Sequence, residues 1–347
     1  MRILVTGASS LIGRHVVELL LKRGDTVTVM QRKPAAIDGV REVLFDLAAE
    51  PYTHDLQNVK EPLVSNDDAI DVADELVTAM TDQDAVIHLA AKVGVAGRFE
   101  AYAAININGT RQMIKAALHC KVSRFVHISS PSVSHAGKSL IGAPAGSADP
   151  DNVRGHYART KALGEQIALA ANCEELQVLS LRPHLVWGPG DTQLVQRIID
   201  RARAGRLQLV GSGQAFIDTT YIDNAAAAIV AGVDNIQRAA GHALVISNGQ
   251  PRTVNEIIRR MLQAGGVTTS LRHVPVPVAL AAGSLIEKVW DAMNKQTDPP
   301  MTRFLAEQLA TAHWFDQRKT RQLLDWAPVI GIEEGFELLA KSMAERE

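Results

Sequence analysis

Through about the first 185 residues, short apolar runs, many of them β-branched, alternate with longer stretches whose apolar positions recur at helical spacing. Ile3–Thr6, Val27–Met30, Val43–Phe45, Ala85–Leu89, Arg124–Ser129 and Val178–Leu181 lack the polar alternation of half-exposed strands. They read as parallel strands buried on both faces. Leu11–Arg23, Ala69–Met80, Tyr102–His119 and Tyr157–Asn172 lie between them and read as helices. This alternation predicts βαβ units with right-handed crossovers, hence an α/β fold with a doubly wound parallel sheet of the Rossmann class.

Beyond Pro183 the rhythm changes. Helical patterns at Gln193–Ala204, Thr220–Gly232, Val254–Ala264, Thr302–Leu309 and Ile332–Met343 dominate, with a short strand at Leu207–Val210 and a glycine turn at 211–213. The expected division is a nucleotide-binding domain over 1–182 and a smaller, mostly helical substrate cap over 183–347, with segments crossing back to the sheet. Residues 47–66 show no period and read as a long surface loop.

Composition narrows the function more than the fold. The 347 residues carry 36 Lys and Arg against 38 Asp and Glu, and no basic block marks a nucleic-acid partner. Cys120 and Cys173 are too few for a disulfide framework and lack metal-ligand spacing, so no metal is expected. The longest apolar stretch, near Val274 to Ile286, is interrupted by prolines and a glycine and is too short to span a bilayer. The expectation is a cytoplasmic protein with no transmembrane segment.

Thr6 to Gly13, TGASSLIG, joins the first strand to the first helix, where free N–H groups and the helix dipole suit a pyrophosphate. Gly7 allows the tight turn and Gly13 the close approach of helix to strand. Ser10 stands where the usual fingerprint has its middle glycine, and its hydroxyl suits a phosphate. At the end of the second strand, neutral Gln31 replaces the acidic residue that favours NAD(H), and Arg32 and Lys33 follow. Two cations suit a 2′-phosphate, so NADP(H) is preferred over NAD(H). Of the four tyrosines, only Tyr157 has a lysine four residues on, Lys161, which puts both on one helix face. An ammonium beside a phenol favours the phenolate and tunes proton exchange with a carbonyl or alcohol. Ser130 ends the fifth strand, where a hydroxyl can meet the same carbonyl oxygen. His88 and His127 read as satisfied core histidines. His184 and Trp187 read as pocket or packing residues. No H-E-x-x-H, Walker A or G-x-S-x-G motif occurs.

TGASSLIG, HLAA (88–91), NINGT (106–110), YARTK (157–161) and LRPHLVWGPGD (181–191), in this order, resemble the extended short-chain dehydrogenase/reductases over nearly the whole chain. TTYIDNAAAAI (219–229) and ISNGQP (246–251) resemble the 3β-hydroxysteroid dehydrogenase branch. SPSVSH (130–135) and PPMTRFLAEQLATAHWF (299–315) are similar to bacterial reductases of 2-alkyl-3-keto acids. The resemblance implies Ser130, Tyr157 and Lys161 as the catalytic trio, with Asn106 organising the site. It implies cofactor contacts at Gly7, Ser9, Ser10, Leu11, Ile12, Gly13, Gln31, Arg32, Lys33, Asp46, Leu47, Ala90, Ala91, Lys92, Tyr157, Lys161 and Pro183. It also implies a bulky apolar 3-keto/3-hydroxy substrate and a homodimer, formed through helices 102–119 and 157–172. A nucleotide-sugar epimerase and a non-catalytic NADP-binding sensor remain alternatives. Pro131-Ser132, where sugar dehydratases have an acidic pair, speaks against dehydration.

Overall fold

The computed structural model describes residues 1–49, 72–135, 137–293, 297 and 299–345. The expected loop at 47–66 falls outside these from residue 50 onward. The first part of the chain runs β1 (Arg2–Thr6), α1 (Leu11–Lys22), β2 (Thr26–Gln31), β3 (Arg41–Leu44), α2 (Asp74–Met80), β4 (Ala85–His88) and α3 (Phe99–Ala103). A π-helical turn (Ala104–Gly109), α4 (Thr110–His119), β5 (Arg124–Ile128), β6 (Leu140–Ala143), α5 (Gly155–Ala170) and β7 (Gln177–Pro183) follow. Next come β8 (Val186–Trp187), α6 (Val195–Arg203), β9 (Gln208–Val210), β10 (Phe216–Ile217), β11 (Thr220–Tyr221), α7 (Ile222–Asp234), α8 (Ile236–Ala239) and β12 (Ala243–Ile246). The chain ends with β13 (Arg252–Thr253), α9 (Val254–Ala264), β14 (Arg272–Val274), α10 (Val276–Ala292), α11 (Arg303–Ala310), β15 (His313–Phe315), α12 (Arg318–Leu324) and α13 (Ile332–Ala344).

The central sheet has seven parallel strands in the order β12-β7-β5-β4-β1-β2-β3, the doubly wound arrangement that the buried apolar runs predict. Strand order reverses between β1 and β4, which opens a crevice at their carboxyl ends. Register then assembles the site, since Thr6 lies level with Met30 on one side and His88 on the other. Gly7, Gln31 and the segment after His88 therefore leave the sheet side by side. Val16, Val17, Leu20, Ile229 and Val233 cover one face of the sheet. Met80, Met113, Ile114 and Ala117 cover the other.

Two features depart from the apolar pattern. The stretch read as one helix over 102–119 is α3, a π-helical turn and α4. A π-helical turn is an i→i+5 insertion within a helix, and no residue type marks it in the sequence. The apolar positions of α4 and α5, expected to pair across a homodimer, are already buried within the one chain. Strand β12, which lies in a stretch read as part of the cap, completes the edge of the central sheet beside β7. In a second sheet, β6 pairs in parallel with β15, which ties the loop after β5 to the C-terminal helices. Trp187 is a packing residue. It is fully buried, stacked on Phe336 at 4.4 Å between centroids, and its Nε1 donates to Thr219 Oγ1 at 2.9 Å.

Candidate active site

The turn after β1 is set by backbone clearance. Gly7 sits at φ +70°, and a Cβ there would lie 2.9 Å from the Ala90 nitrogen. A Cβ on Gly13 would lie 2.4 Å from the Gly7 oxygen. Ser10 caps α1: its Oγ accepts from Gly13 N at 3.0 Å and donates to Gly7 O at 2.8 Å. The hydroxyl read as a phosphate donor is thus engaged in shaping the turn. Leu11 and Ile12 begin the helix, where N–H groups have no intrahelical acceptor and face an incoming anion. The clearance and the exposed helix start fit a nicotinamide dinucleotide.

Beside this turn, Gln31 Oε1 accepts from Ser9 N at 3.2 Å, and its Nε2 donates to Glu42 Oε1 at 2.9 Å. Glu42, on β3, also accepts from Ala35 N at 2.6 Å. The sequence reading missed it, because nothing local marks a β3 residue as a neighbour of the end of β2. Arg32 and Lys33 are exposed here. Asp46 is exposed and accepts from Ala48 N at 3.0 Å. The Leu47 side chain is buried in the core against Gly109, so only its backbone is free to meet a cofactor.

A directed hydrogen-bond chain holds the segment after β4. Ala90 N donates to Thr6 Oγ1 at 3.0 Å, so the Thr6 proton goes to His88 Nδ1 at 2.8 Å. Thr110 Oγ1 donates to Asn106 O at 2.9 Å and therefore accepts from His88 Nε2 at 3.4 Å. Burial lowers the His88 pKa to about 3, which keeps the ring neutral, as this relay requires. Asn106 closes the circuit: Oδ1 accepts from Lys92 N at 2.8 Å, and Nδ2 donates to Lys92 O at 3.1 Å and Thr160 Oγ1 at 3.0 Å. The π-helical turn brings the Asn106 oxygen to where a Cβ on Gly164 would lie only 2.3 Å away, so α5 packs directly on it. The Lys92 ammonium lies over the Tyr102 ring, 5.1 Å from its centroid. His88 is the satisfied core histidine expected; His127 is not. It is fully buried, and neither ring nitrogen has a partner among the described residues.

Ser130, Tyr157 and Lys161 meet at the carboxyl end of β5. The Tyr157 hydroxyl bonds the Ser130 side chain. Ser130 Oγ also accepts from Ser132 Oγ at 2.9 Å, a second hydroxyl the sequence reading did not assign. Burial raises the Tyr157 pKa, and the Ser130 hydrogen bond opposes this. The expected lowering by Lys161 is therefore not what the site shows. The ammonium turns instead to the strand, where Nζ donates to Ile128 O at 2.5 Å. Burial lowers the Lys161 pKa to about 8, against the pull of the Glu165 carboxylate. Pro183, at the end of β7, pairs with Ile246.

A cavity of about 460 Å³ opens beside Tyr157. Residues 94–97, the start of α5, and Trp290 and Phe304 from the C-terminal helices line it. His184 lies outside its wall, buried against His313 and Phe315. His313 Nε2 faces the Gln308 carbonyl at 2.9 Å and must carry the proton, so His184 Nε2 donates to His313 Nδ1 at 3.1 Å. Arg182 is fully buried and paired with Glu165, with Nε donating to Oε2 at 2.9 Å. Arg318 pairs with Asp316 at the surface. Arg303 does reach the cavity, as does Arg154, which the sequence reading passed over.

With a doubly wound sheet, a glycine turn at its switch point and a Ser-Tyr-Lys cluster at its carboxyl edge, the comparisons with known proteins agree. Residues 3–247 match the NAD dependent epimerase/dehydratase family, and the chain belongs to this family, the extended short-chain dehydrogenase/reductases. It is 36% identical to a 2-alkyl-3-oxoalkanoate reductase of Stenotrophomonas maltophilia, over 99% of this chain and 100% of that protein. A protein of the same description from Shewanella oneidensis is 33% identical over 98% of this chain and 85% of its own length. Among solved structures, MoeE5 in complex with UDP-glucose and NAD superposes with a TM-score of 0.71 at 23% identity, covering 100% of this chain and 99% of that one.

Proposed function

We propose that the protein is an NADP(H)-preferring ketoreductase that interconverts the 3-keto and 3-hydroxy forms of a bulky apolar acid such as a 2-alkyl-3-oxoalkanoate. The observation that carries this reading is the Tyr157 phenol, half-buried at the wall of the cavity and paired with the Ser130 side chain. Its raised pKa keeps the phenol protonated at neutral pH, the state a ketone reduction needs in its acid. A reduced nicotinamide held at the glycine turn would supply the hydride for the reduction. Tyr157 gives its proton to the ketone oxygen and Ser130 holds that oxygen, while Lys161, one helical turn on, is held on the Ile128 carbonyl. The two full-length relatives described as 2-alkyl-3-oxoalkanoate reductases support the substrate class. Arg32 and Lys33 support the 2′-phosphate, against the single carboxylate of Glu42. A small-molecule substrate accounts for the site, and no described helix is long and apolar enough to cross a membrane.

Cofactor oxidation measured with 2-alkyl-3-oxo acids and ketosteroids under NADPH and NADH, beside chromatographic detection of epimerised nucleotide sugars, tests the reading. Turnover is expected with the oxo acids, preferentially with NADPH. Faster turnover of a nucleotide sugar than of every apolar ketone overturns it in favour of an epimerase. Tyr157→Phe is expected to lower kcat at least about a hundredfold with cofactor affinity retained. Near-normal kcat in that variant removes Tyr157 from the chemistry.

A further inference from the structure

We propose that Arg154 and Arg303 form the subsite for the substrate's carboxylate, the feature that separates a 3-oxo acid from a neutral ketone of the same bulk. The inference rests on the ketoreductase reading and extends it to specificity. Arg154 immediately precedes α5, three residues before Tyr157, and Arg303 is the first residue of α11. They are 149 positions apart in sequence (303 − 154), yet both line the cavity beside Tyr157.

One buried carboxylate aligns them. Arg154 Nε meets Glu307 Oε2 at 2.7 Å, and Arg303 Nε meets Glu307 Oε1 at 3.1 Å. The Glu307 side chain is only 10% exposed, whereas those of Arg154 and Arg303 are 43% and 48% exposed. The inner nitrogen of Arg303 donates to Glu307, and that of Arg154 makes an ion-pair contact with it. Among the described residues, neither terminal pair of N–H groups has another side-chain partner. Two parallel N–H donors are the geometry that takes a carboxylate. Gly137, at φ +75°, makes room: a Cβ there would lie 3.0 Å from Glu307 Oε2.

Glu287 also lines the cavity, and its carboxylate is directed at the start of α11, where Oε1 accepts from Arg303 N at 3.0 Å. Trp290 and Phe304 supply apolar wall between the charged groups, suited to alkyl chains. In a 3-oxo acid the carboxylate carbon is two bonds from the carbonyl carbon. A group holding it must therefore lie close to the proton donor, as a residue one helical turn before Tyr157 does. A longer spacing between anion and ketone would not use this pair.

The test compares a stable 2-alkyl-3-hydroxy acid with its methyl ester, oxidised with NADP+ by the full chain. The wild-type protein is expected to favour the acid over the ester at least tenfold in kcat/KM. Arg154→Met and Arg303→Met are each expected to lower that ratio about tenfold, chiefly through KM for the acid, the scale of one lost charge-assisted contact. Arg303→Lys is expected to restore part of it. Equal use of acid and ester by the wild type, or equal loss on both in the variants, overturns the subsite while leaving the ketoreductase reading intact. Turnover of neither alcohol, with turnover of a sugar nucleotide, overturns both.

Discussion

The two ends of the active-site cleft are built to different tolerances. At the nucleotide end the walls are backbone against backbone. Gly7 approaches Ala90, Gly13 approaches the Gly7 oxygen, and Gly164 approaches the Asn106 oxygen, each at a distance that leaves no room for a methyl group. At the substrate end the wall is made of long side chains, Arg154 before α5, Trp290 on α10, and Arg303 and Phe304 on α11, all partly exposed. A change at the first end moves the main chain, whereas a change at the second re-cuts a surface. One nucleotide frame can therefore serve relatives with very different substrates, because the variation is confined to positions where it costs little.

Substitution at the tight end gives the largest expected effect. Gly164→Val must displace either α5 or the π-helical turn, since a Cβ lies 2.3 Å from the Asn106 oxygen, and no soluble folded protein is expected. Soluble expression with a normal far-UV spectrum would break the contrast between the ends. Acid comes next, acting on one histidine at each end. Burial lowers His88 to about 3 and His313 to about 4, both below the ordinary value of 6.5. Above pH 6.5 both are neutral whether the chain is folded or not. As pH falls from 6.5 to 4, the unfolded chain binds protons the folded one refuses, and stability drops by about 3 kcal/mol per histidine. Urea midpoints at pH 7, 5.5 and 4.5 measure this, and His88→Gln should flatten the slope. Midpoints independent of pH would contradict the buried, neutral assignment. The smallest effect belongs to Glu42→Gln. Removing this carboxylate beside Gln31 should shift the ratio of NADP(H) to NAD(H) affinity toward NADP(H) by about fivefold, roughly 1 kcal/mol. An unchanged ratio would place Glu42 outside the 2′-phosphate's reach.

Most of the frame was readable in the chain because buried parallel strands are short and uniformly apolar, and no other element has that signature. Tyr157 and Lys161 were readable because four residues on a helix are a local relation. Glu42 and Arg154 were not, since each acts through neighbours that register or tertiary packing supplies. Ser10 was assigned to the correct turn, but its cap on Gly13 was not legible, because a hydroxyl at a helix start serves a cap and a phosphate equally well. His127 was read as satisfied on the general rule for buried polar groups, and its surroundings depart from that rule.

Strand β12 has a consequence for how the protein is made. The edge of β7 stays unpaired until residues 243–246 arrive, and α7, which lies across β4, β5 and β7, comes only shortly before. A chain halted at Arg182 would leave Leu179, Leu181 and Val126 open to water beside an unfilled strand edge, the surface that templates aggregation. The sheet that carries the glycine turn is thus complete only once residues 222–246 have been added.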